Sequence, residues 1–333
     1  MATNSSELPR WVASHRETRA ASFLDILSPV SGALSGPGGM PHSHLYRGVG
    51  DLGYSLLPSA FRPTVQLFQK PHFPRGLGKT QREQIERELQ TLAAFINAAD
   101  RQGHQIPEDS QQLRATLRSL QENLAVANNT VTLKEWPPTS LLSVLALAQH
   151  YGVPTRLLDW SLDPYVAAYF AATSAMGNDE GYLAVWAVVS DLFEINNILI
   201  GDPVRAARLP IQYVTTPWAG NANAKAQRAV FLAYRQFDIN LSSDFVPEAY
   251  DALIAKNLVG GLPAYPVLYR FSLPRSEAPE LLRLLAFQGY DGATLFPGLE
   301  GAVKSIAESY LWRRDSDTDP RSCRSVQAFN NMT

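Results

Sequence analysis

Arg47 is the first residue whose type and surroundings indicate chemistry. It stands in the short segment 45–48 (LYRG), among apolar and aromatic residues, and a second arginine, Arg62, ends the stretch 56–62 (LLPSAFR). A planar guanidinium presents a rigid fork of donors that suits either a carboxylate or a phosphate. These arginines are therefore either structural ion-pair partners or binders of an anionic ligand.

A second group of polar residues lies within 147–170, in an otherwise apolar stretch. Its members are Gln149, His150, Arg156, Asp159 and Ser161. Polar groups in apolar surroundings must hydrogen-bond to one another or to a ligand. One interpretation is structural, with an Arg156–Asp159 ion pair and a core histidine. The other is a polar cleft between a strand end and a helix N-terminus, where the helix dipole favours an anionic ligand.

Familiar motifs are absent or stand in the wrong context. The letters G-x-G-x-x-G occur at 48–53, but no long strand precedes them and Pro58 follows soon after, which favours glycines that serve a turn over a dinucleotide site. His42 and His44 lack accompanying cysteines or carboxylates, so no metal is expected. Neither G-x-S-x-G nor the Walker A pattern occurs, which excludes the simplest hydrolase and NTPase classes.

Composition limits the class of protein. The 333 residues include 29 basic and 31 acidic ones, so electrostatics give no reason to expect a nucleic-acid-coating protein. A lone cysteine, Cys323, excludes an intrachain disulfide and favours a reducing compartment. With no visible secretory signal and no long apolar run, we expect a cytoplasmic location and no membrane partner.

Helices and strands that position these residues are predicted from the apolar pattern. Stripes at helical spacing predict an antiparallel helical hairpin, over 79–100 and 109–127, with both stripes facing the core. A third helix starts near Thr139 or Ser140, and Asp163 caps a fourth, with Pro164 at its first position. Strands are predicted at 45–48, 155–160, 182–189, 229–234, 267–273 and 293–296, and further helices at 276–288 and 298–311.

The order of these elements is mixed and lacks a regular βαβ repeat. It predicts an α+β fold with a mixed or antiparallel central sheet and a helical hairpin insertion. Residues 1–40 are expected to form an N-terminal extension and loop, and 41–312 the domain, including the insertion 79–135. Residues 313–333 are expected to be a flexible tail.

Taken together, the polar segments resemble the FRG domain, a family named after its (Phe/Tyr)-Arg-Gly signature. Segment 46–48 matches that signature, and 56–62 and the run 145–171 (LALAQHYGVPTRLLDWSLDPYVAAYFA) match its further motifs. Two later pieces, 226–231 and 293–301, extend the resemblance over about 40–312, although Ala229 stands where the family has glycine.

The motif order is also similar to that of ADP-ribosyltransferases, and this resemblance implies a sheet of that kind and roles for single residues. Arg47 would hold NAD by its ribose or diphosphate, and Ser161 with Trp160 would shape the nicotinamide pocket. Gln227 takes the place of a late glutamate but carries no charge, so either another acid stabilises the transition state, with Asp159 the nearest candidate, or transfer is absent. The catalytic set is Arg47, Asp159, Ser161 and Gln227, and the ligand-binding set is Tyr46, Arg47, Gly48, Arg62, His150, Arg156 and Trp160.

Three functional hypotheses stay open, and whether the chain is an enzyme is left undecided. The first is an ADP-ribosyltransferase-like enzyme or toxin that uses NAD to modify a protein or nucleic acid, in an antiphage-defence or toxin–antitoxin setting with a matching antitoxin or defence partner. The second is a non-catalytic module that grips a nucleotide or nucleic acid through Arg47, Arg62, Arg156 and Arg228. The third is a nuclease or phosphoesterase with Asp159 and His150 as acid and base.

Overall fold

The computed structural model describes residues 12–35, 43–64, 76–126, 132–191, 193, 210–215, 218, 221–258 and 266–312. Its strands are β1 Val12–Arg16, β2 His44–Val49, β3 Thr132–Trp136, β4 Leu157–Ser161, β5 Tyr182–Val189, β6 Ile211–Val214, β7 Ala229–Tyr234, β8 Gln236–Asn240 and β9 Leu268–Pro274. Its helices are α1 Ala20–Leu27, α2 Gln81–Arg101, α3 Gln111–Val126, α4 Leu142–His150, α5 Pro164–Ala175, α6 Ala222–Ala226, α7 Tyr250–Leu258, α8 Ala278–Phe287, α9 Gly292–Leu295 and α10 Leu299–Trp312.

A seven-stranded sheet with the order β1-β9-β5-β2-β4-β7-β6 forms the centre of the fold. Its β1–β9 pair is parallel and the other five pairs are antiparallel, while β3 and β8 form a separate two-stranded sheet. This architecture confirms the predicted α+β class and the mixed, mostly antiparallel sheet. It also makes β2 and β4, which carry the two polar segments, direct neighbours.

Apolar side chains cover both faces of this sheet. On the first face, Tyr46 packs against helices α1, α5 and α8. Leu157, on the same face, packs against α4 and the hairpin formed by α2 and α3. The second face carries Leu45 and Trp186 and packs against α7. Strand β5 is buried on both faces, which explains why its sequence is a continuous apolar run without alternation.

The predicted helical hairpin is confirmed. Arg82, at the start of α2, donates to the carbonyl oxygen of Leu124, near the end of α3, at 2.6 Å. At the other end Arg114 of α3 contacts Asp100 of α2 at 2.9 Å, so the helices are antiparallel. Both apolar stripes are buried against the first face, as expected.

One predicted element is wrong, and others were not predicted. Segment 293–296 is not a strand, because the Asp291 carboxylate accepts from the Thr294 amide at 2.9 Å and starts helix α9 there. Short apolar runs do not distinguish a strand from a helical turn. Strand β1 lies within the expected extension 1–40 and pairs with β9. The predicted tail, 313–333, lies outside the described residues.

Helix α10 is confirmed, but its apolar stripe faces solvent. Leu299, Val303, Ile306 and Tyr310 share one side of the helix, as predicted, and are 51–88% exposed. Within the described ranges, no helix has the length and apolar character needed to cross a membrane.

Candidate functional site

Strands β2 and β4 separate next to Arg47. Their ladder contains one residue pair, Tyr46 with Ser161, whereas β2 pairs with β5 along its whole length. The Arg47 guanidinium lies at the opening, where its Nη1 donates to the backbone oxygen of Asp159 at 2.6 Å and lies 3.7 Å from Asp159 Oδ2. The Arg47 side chain is 16% exposed and that of Asp159 is 49% exposed, so the pair opens to solvent on the carboxylate side.

The electrostatics of this opening depend on Asp159. Burial lowers the pKa of Arg47, and the Asp159 carboxylate opposes that effect. Burial also lowers the pKa of His150, again against the influence of Asp159. An imidazole whose pKa lies below its ordinary value is neutral at pH 7. His150, which directly follows Gln149 on α4, is therefore neutral at that pH.

A hydrogen-bonded network anchors the Asp159 carboxylate. Gln149 Nε2 donates to Asp159 Oδ2 at 3.0 Å, and Gln149 Oε1 accepts from Thr155 Oγ1 at 2.8 Å. Ser59 Oγ donates to the Thr155 carbonyl at 3.2 Å and accepts from the Thr155 amide at 3.1 Å. Gln149 stood out in the sequence as a polar residue in an apolar helix, but its contact with Asp159 was not predicted.

Ser161 and Gln227 also meet, and both are occupied by structural hydrogen bonds. Ser161 Oγ donates to the Gln227 carbonyl at 2.8 Å and accepts from the Asp163 amide at 3.0 Å. Gln227 Nε2 donates to the Leu295 carbonyl at 3.1 Å. The serine thus ties β4 to the end of α6, just before Asp163 caps α5, as that residue was predicted to do.

The four predicted catalytic residues form two pairs instead of one centre. Because Ser161 is paired with Tyr46, its side chain lies on the first face, whereas the neighbouring Arg47 projects from the second. Asp159 is two residues before Ser161 on β4, and the gap between β2 and β4 lets the Arg47 guanidinium reach its backbone oxygen and its carboxylate. The Arg47–Asp159 pair and the Ser161–Gln227 pair are therefore separate features.

A structural role for Ser161 makes a testable prediction. Ser161→Ala removes both hydrogen bonds of the hydroxyl and should lower the free energy of unfolding by about 1–3 kcal/mol. Urea denaturation monitored by circular dichroism measures this change. A variant with unchanged stability that nevertheless loses an activity of the wild type would instead assign the hydroxyl to the reaction.

Three residues predicted to bind a ligand have packing roles. A Cβ at Gly48 would lie 1.9 Å from the carbonyl oxygen of Ala167, so this glycine is needed for close packing of β2 on α5. Trp160 is buried on the second face, away from Ser161, and the two cannot shape one pocket. Tyr46 is buried on the first face, where burial and Asp163 raise its pKa to about 12.

Arg156 also departs from both expectations for it, ligand binding and a pair with Asp159. The side chain is 1% exposed, and its Nε and Nη2 donate to Glu88 of α2 at 2.7 and 2.9 Å. Its Nη1 donates to Gln236 at 3.1 Å, and the guanidinium lies over the Phe61 ring. Arg156 and Glu88 therefore form a structural ion pair that joins the helical insertion to the sheet.

Two further positions bear on ligand binding. Arg62 is exposed, and its Nε donates to the Leu57 carbonyl at 3.3 Å. His44 is buried beside the rings of Tyr46 and Tyr269, and His42 lies outside the described residues. In the part of the chain that the structure describes, no cluster of three or more His, Cys, Asp or Glu side chains could hold a metal ion.

Comparison with known protein families identifies a domain in this part of the chain. Residues 42–180 match the family model of the FRG domain, and this range includes the Arg47–Asp159 pair and the whole network around it. No curated protein and no solved structure matches the chain. Extension of the domain to residue 312 stays a prediction, although β7 and β9 of the same sheet follow the matched range. The chain carries an FRG domain.

Proposed function

We propose that this FRG domain is an ADP-ribosyltransferase-like enzyme that binds NAD through Arg47 and transfers ADP-ribose to a protein or nucleic-acid target. The observation that carries the proposal is the Arg47–Asp159 pair, a guanidinium and a half-exposed carboxylate at one opening between two strands. Arg47 makes one hydrogen bond to Asp159, through Nη1, and no other within the described residues. In the proposed complex its remaining N–H groups donate to the diphosphate of NAD.

In the proposed reaction Asp159 supplies the negative charge that Gln227 lacks. The bond between ribose C1′ and the nicotinamide nitrogen breaks, and its electron pair leaves with nicotinamide. The ribose becomes an oxocarbenium-like cation, which a nucleophile of the target attacks at C1′ as it loses a proton to solvent. A fixed carboxylate stabilises the cation electrostatically. Gln149 holds that carboxylate in place.

The test is nicotinamide release from labelled NAD by purified protein. Arg47→Ala and Asp159→Asn are each expected to reduce the rate about 100-fold, the effect of losing one preorganised electrostatic group. Arg283→Ala is the matched control, because the contacts of this arginine, an ion pair with Glu280 and the Phe287 ring, both lie within its own helix. Wild-type protein that neither binds nor consumes NAD would refute the proposal.

One observation favours a second candidate, a phosphoesterase or nuclease. His150 directly follows Gln149, which donates to the Asp159 carboxylate, and that carboxylate opposes the lowering of the His150 pKa by burial. Cleavage of nucleic acid that is lost in His150→Ala would select this function. NAD binding without turnover would indicate the non-catalytic nucleotide-binding module.

A transferase of this kind would act as a cytoplasmic toxin, in antiphage defence or beside an antitoxin. Growth arrest on expression, relieved by Asp159→Asn and not by Arg283→Ala, is the expected result. Normal growth with the active wild-type enzyme would remove the toxin role and leave the transferase activity standing.

A further inference from the structure

A row of arginine and tryptophan side chains crosses the second face of the sheet. Arg47 of β2 pairs with Trp186 of β5, and Trp186 pairs with Arg270 of β9. Trp160 of β4 belongs to the same apolar cluster as Trp186. Because neighbouring strands lie about 4.8 Å apart, Arg47 and Arg270 are separated by about 10 Å across the sheet. The row therefore continues from the Arg47 opening toward β9.

Three polar atoms at the far end of this row are buried without a hydrogen-bond partner in the described part of the chain. They are Trp186 Nε1, Arg270 Nε and Asp251 Oδ1, the last of these from helix α7. Trp186 is only 6% exposed. Buried polar groups in proteins are almost always hydrogen-bonded, so unpartnered ones point to a ligand or an ion.

The chemistry of these groups combines a flat surface with donors and an acceptor. The Arg270 guanidinium lies over the Trp186 ring, 5.5 Å from its centroid. Asp251 lies on α7, whose apolar residues pack against the face of the sheet that carries Trp186 and Arg270. Burial and Arg16 lower the pKa of Arg270, and the Asp251 carboxylate acts in the opposite direction. Donors alone would suit a phosphate. N–H donors beside a carboxylate acceptor suit a nucleobase, because the edge of its planar ring carries both acceptors and N–H groups.

We propose that Trp186, Arg270 and Asp251 form the nucleobase subsite of the nucleotide whose phosphates Arg47 binds. The base lies between the sheet and α7, next to the half-buried Arg270, and the phosphates lie at the opening between β2 and β4. This inference rests on the proposed binding of a nucleotide by Arg47. Trp186 carries an N–H group in the middle of the apolar run of β5, and Arg270 is the charged residue of strand β9.

The experiment compares ADP with inorganic pyrophosphate in calorimetric titrations of the full chain. Wild-type protein is expected to bind both, with ADP tighter. Trp186→Phe keeps an aromatic ring at this position but removes the N–H donor, and it should weaken ADP binding about tenfold while pyrophosphate binding is unchanged. Arg47→Ala should weaken both. Trp218→Phe is the matched control, because that indole lies outside the row and donates to the Ala229 carbonyl.

Two further variants, Arg270→Gln and Asp251→Asn, keep the proposal testable if Trp186→Phe fails to fold, as judged by its melting temperature. Each should weaken ADP binding selectively. If pyrophosphate and ADP bind equally well and these variants change neither, the base subsite is wrong while phosphate binding by Arg47 stands. If the wild type binds neither probe, nucleotide binding itself is refuted.

Discussion

Replacing Glu88 with alanine is expected to lower the free energy of unfolding by about 3–5 kcal/mol. The change leaves the Arg156 guanidinium charged and buried without the carboxylate that now receives two of its hydrogen bonds. It also removes the acceptor of the Trp136 indole and one of the two acceptors of the Gln84 side-chain amide. Urea denaturation with linear extrapolation measures the loss.

The control is a salt bridge on the surface. Arg114→Ala removes an exposed arginine that contacts Asp100 and Asp109, and it should leave the stability close to that of the wild type. The double variant Glu88→Met, Arg156→Met should be more stable than Glu88→Ala, because no charge is then buried unpaired. An unfolding free energy of Glu88→Ala equal to that of the wild type would show that Arg156 does not depend on this helix.

This ion pair also bears on the role of the helical insertion. Glu88 lies on α2, whereas Arg156 lies just before β4, next to the segment that carries Asp159. Because the Glu88–Arg156 pair is buried, separating α2 from the sheet would leave the Arg156 charge buried without its partner or expose it to water. We therefore expect deletion of the hairpin to unfold the domain, not merely to remove a partner-binding element.

Gly48→Ala is expected to destabilise the fold by about 3 kcal/mol, at the upper end for overpacking. The added Cβ would lie 1.9 Å from the Ala167 carbonyl oxygen and 2.6 Å from the Ala171 amide nitrogen. Both are backbone atoms of α5, so no side-chain rotation relieves the clash. Thermal unfolding measures the effect, and NAD binding should be lost in parallel with the fold.

Gly53→Ala is the matched control, since its Cβ would meet only the Asp51 carboxylate, at 3.2 Å. That side chain can move, so a much smaller loss of stability is expected. Adding Ala167→Gly to Gly48→Ala should not restore stability, because the contact is with the backbone. If Gly48→Ala melts at the same temperature as the wild type but does not bind NAD, Gly48 contributes to ligand binding and not to packing.

Features that depend on local pattern were predicted from the sequence. The apolar stripes of α2 and α3, the continuous run of β5 and the Asp163 cap of α5 each follow from residues within one element. Their periodicity or their capping chemistry is complete within a few residues, so no distant partner is needed to recognise it. The FRG motifs are likewise short segments of sequence.

The arrangement of the candidate site was decided by tertiary structure. Arg47 and Asp159 are 112 residues apart, and Arg156 and Glu88 are 68 apart. The sequence indicated that charged side chains in apolar surroundings need partners, but it did not identify those partners. The alignment of β2 with β4 put Ser161 on the face opposite Arg47, because a shift of one residue exchanges the faces of a strand. That alignment results from the packing of the whole sheet, which no local segment of the sequence contains.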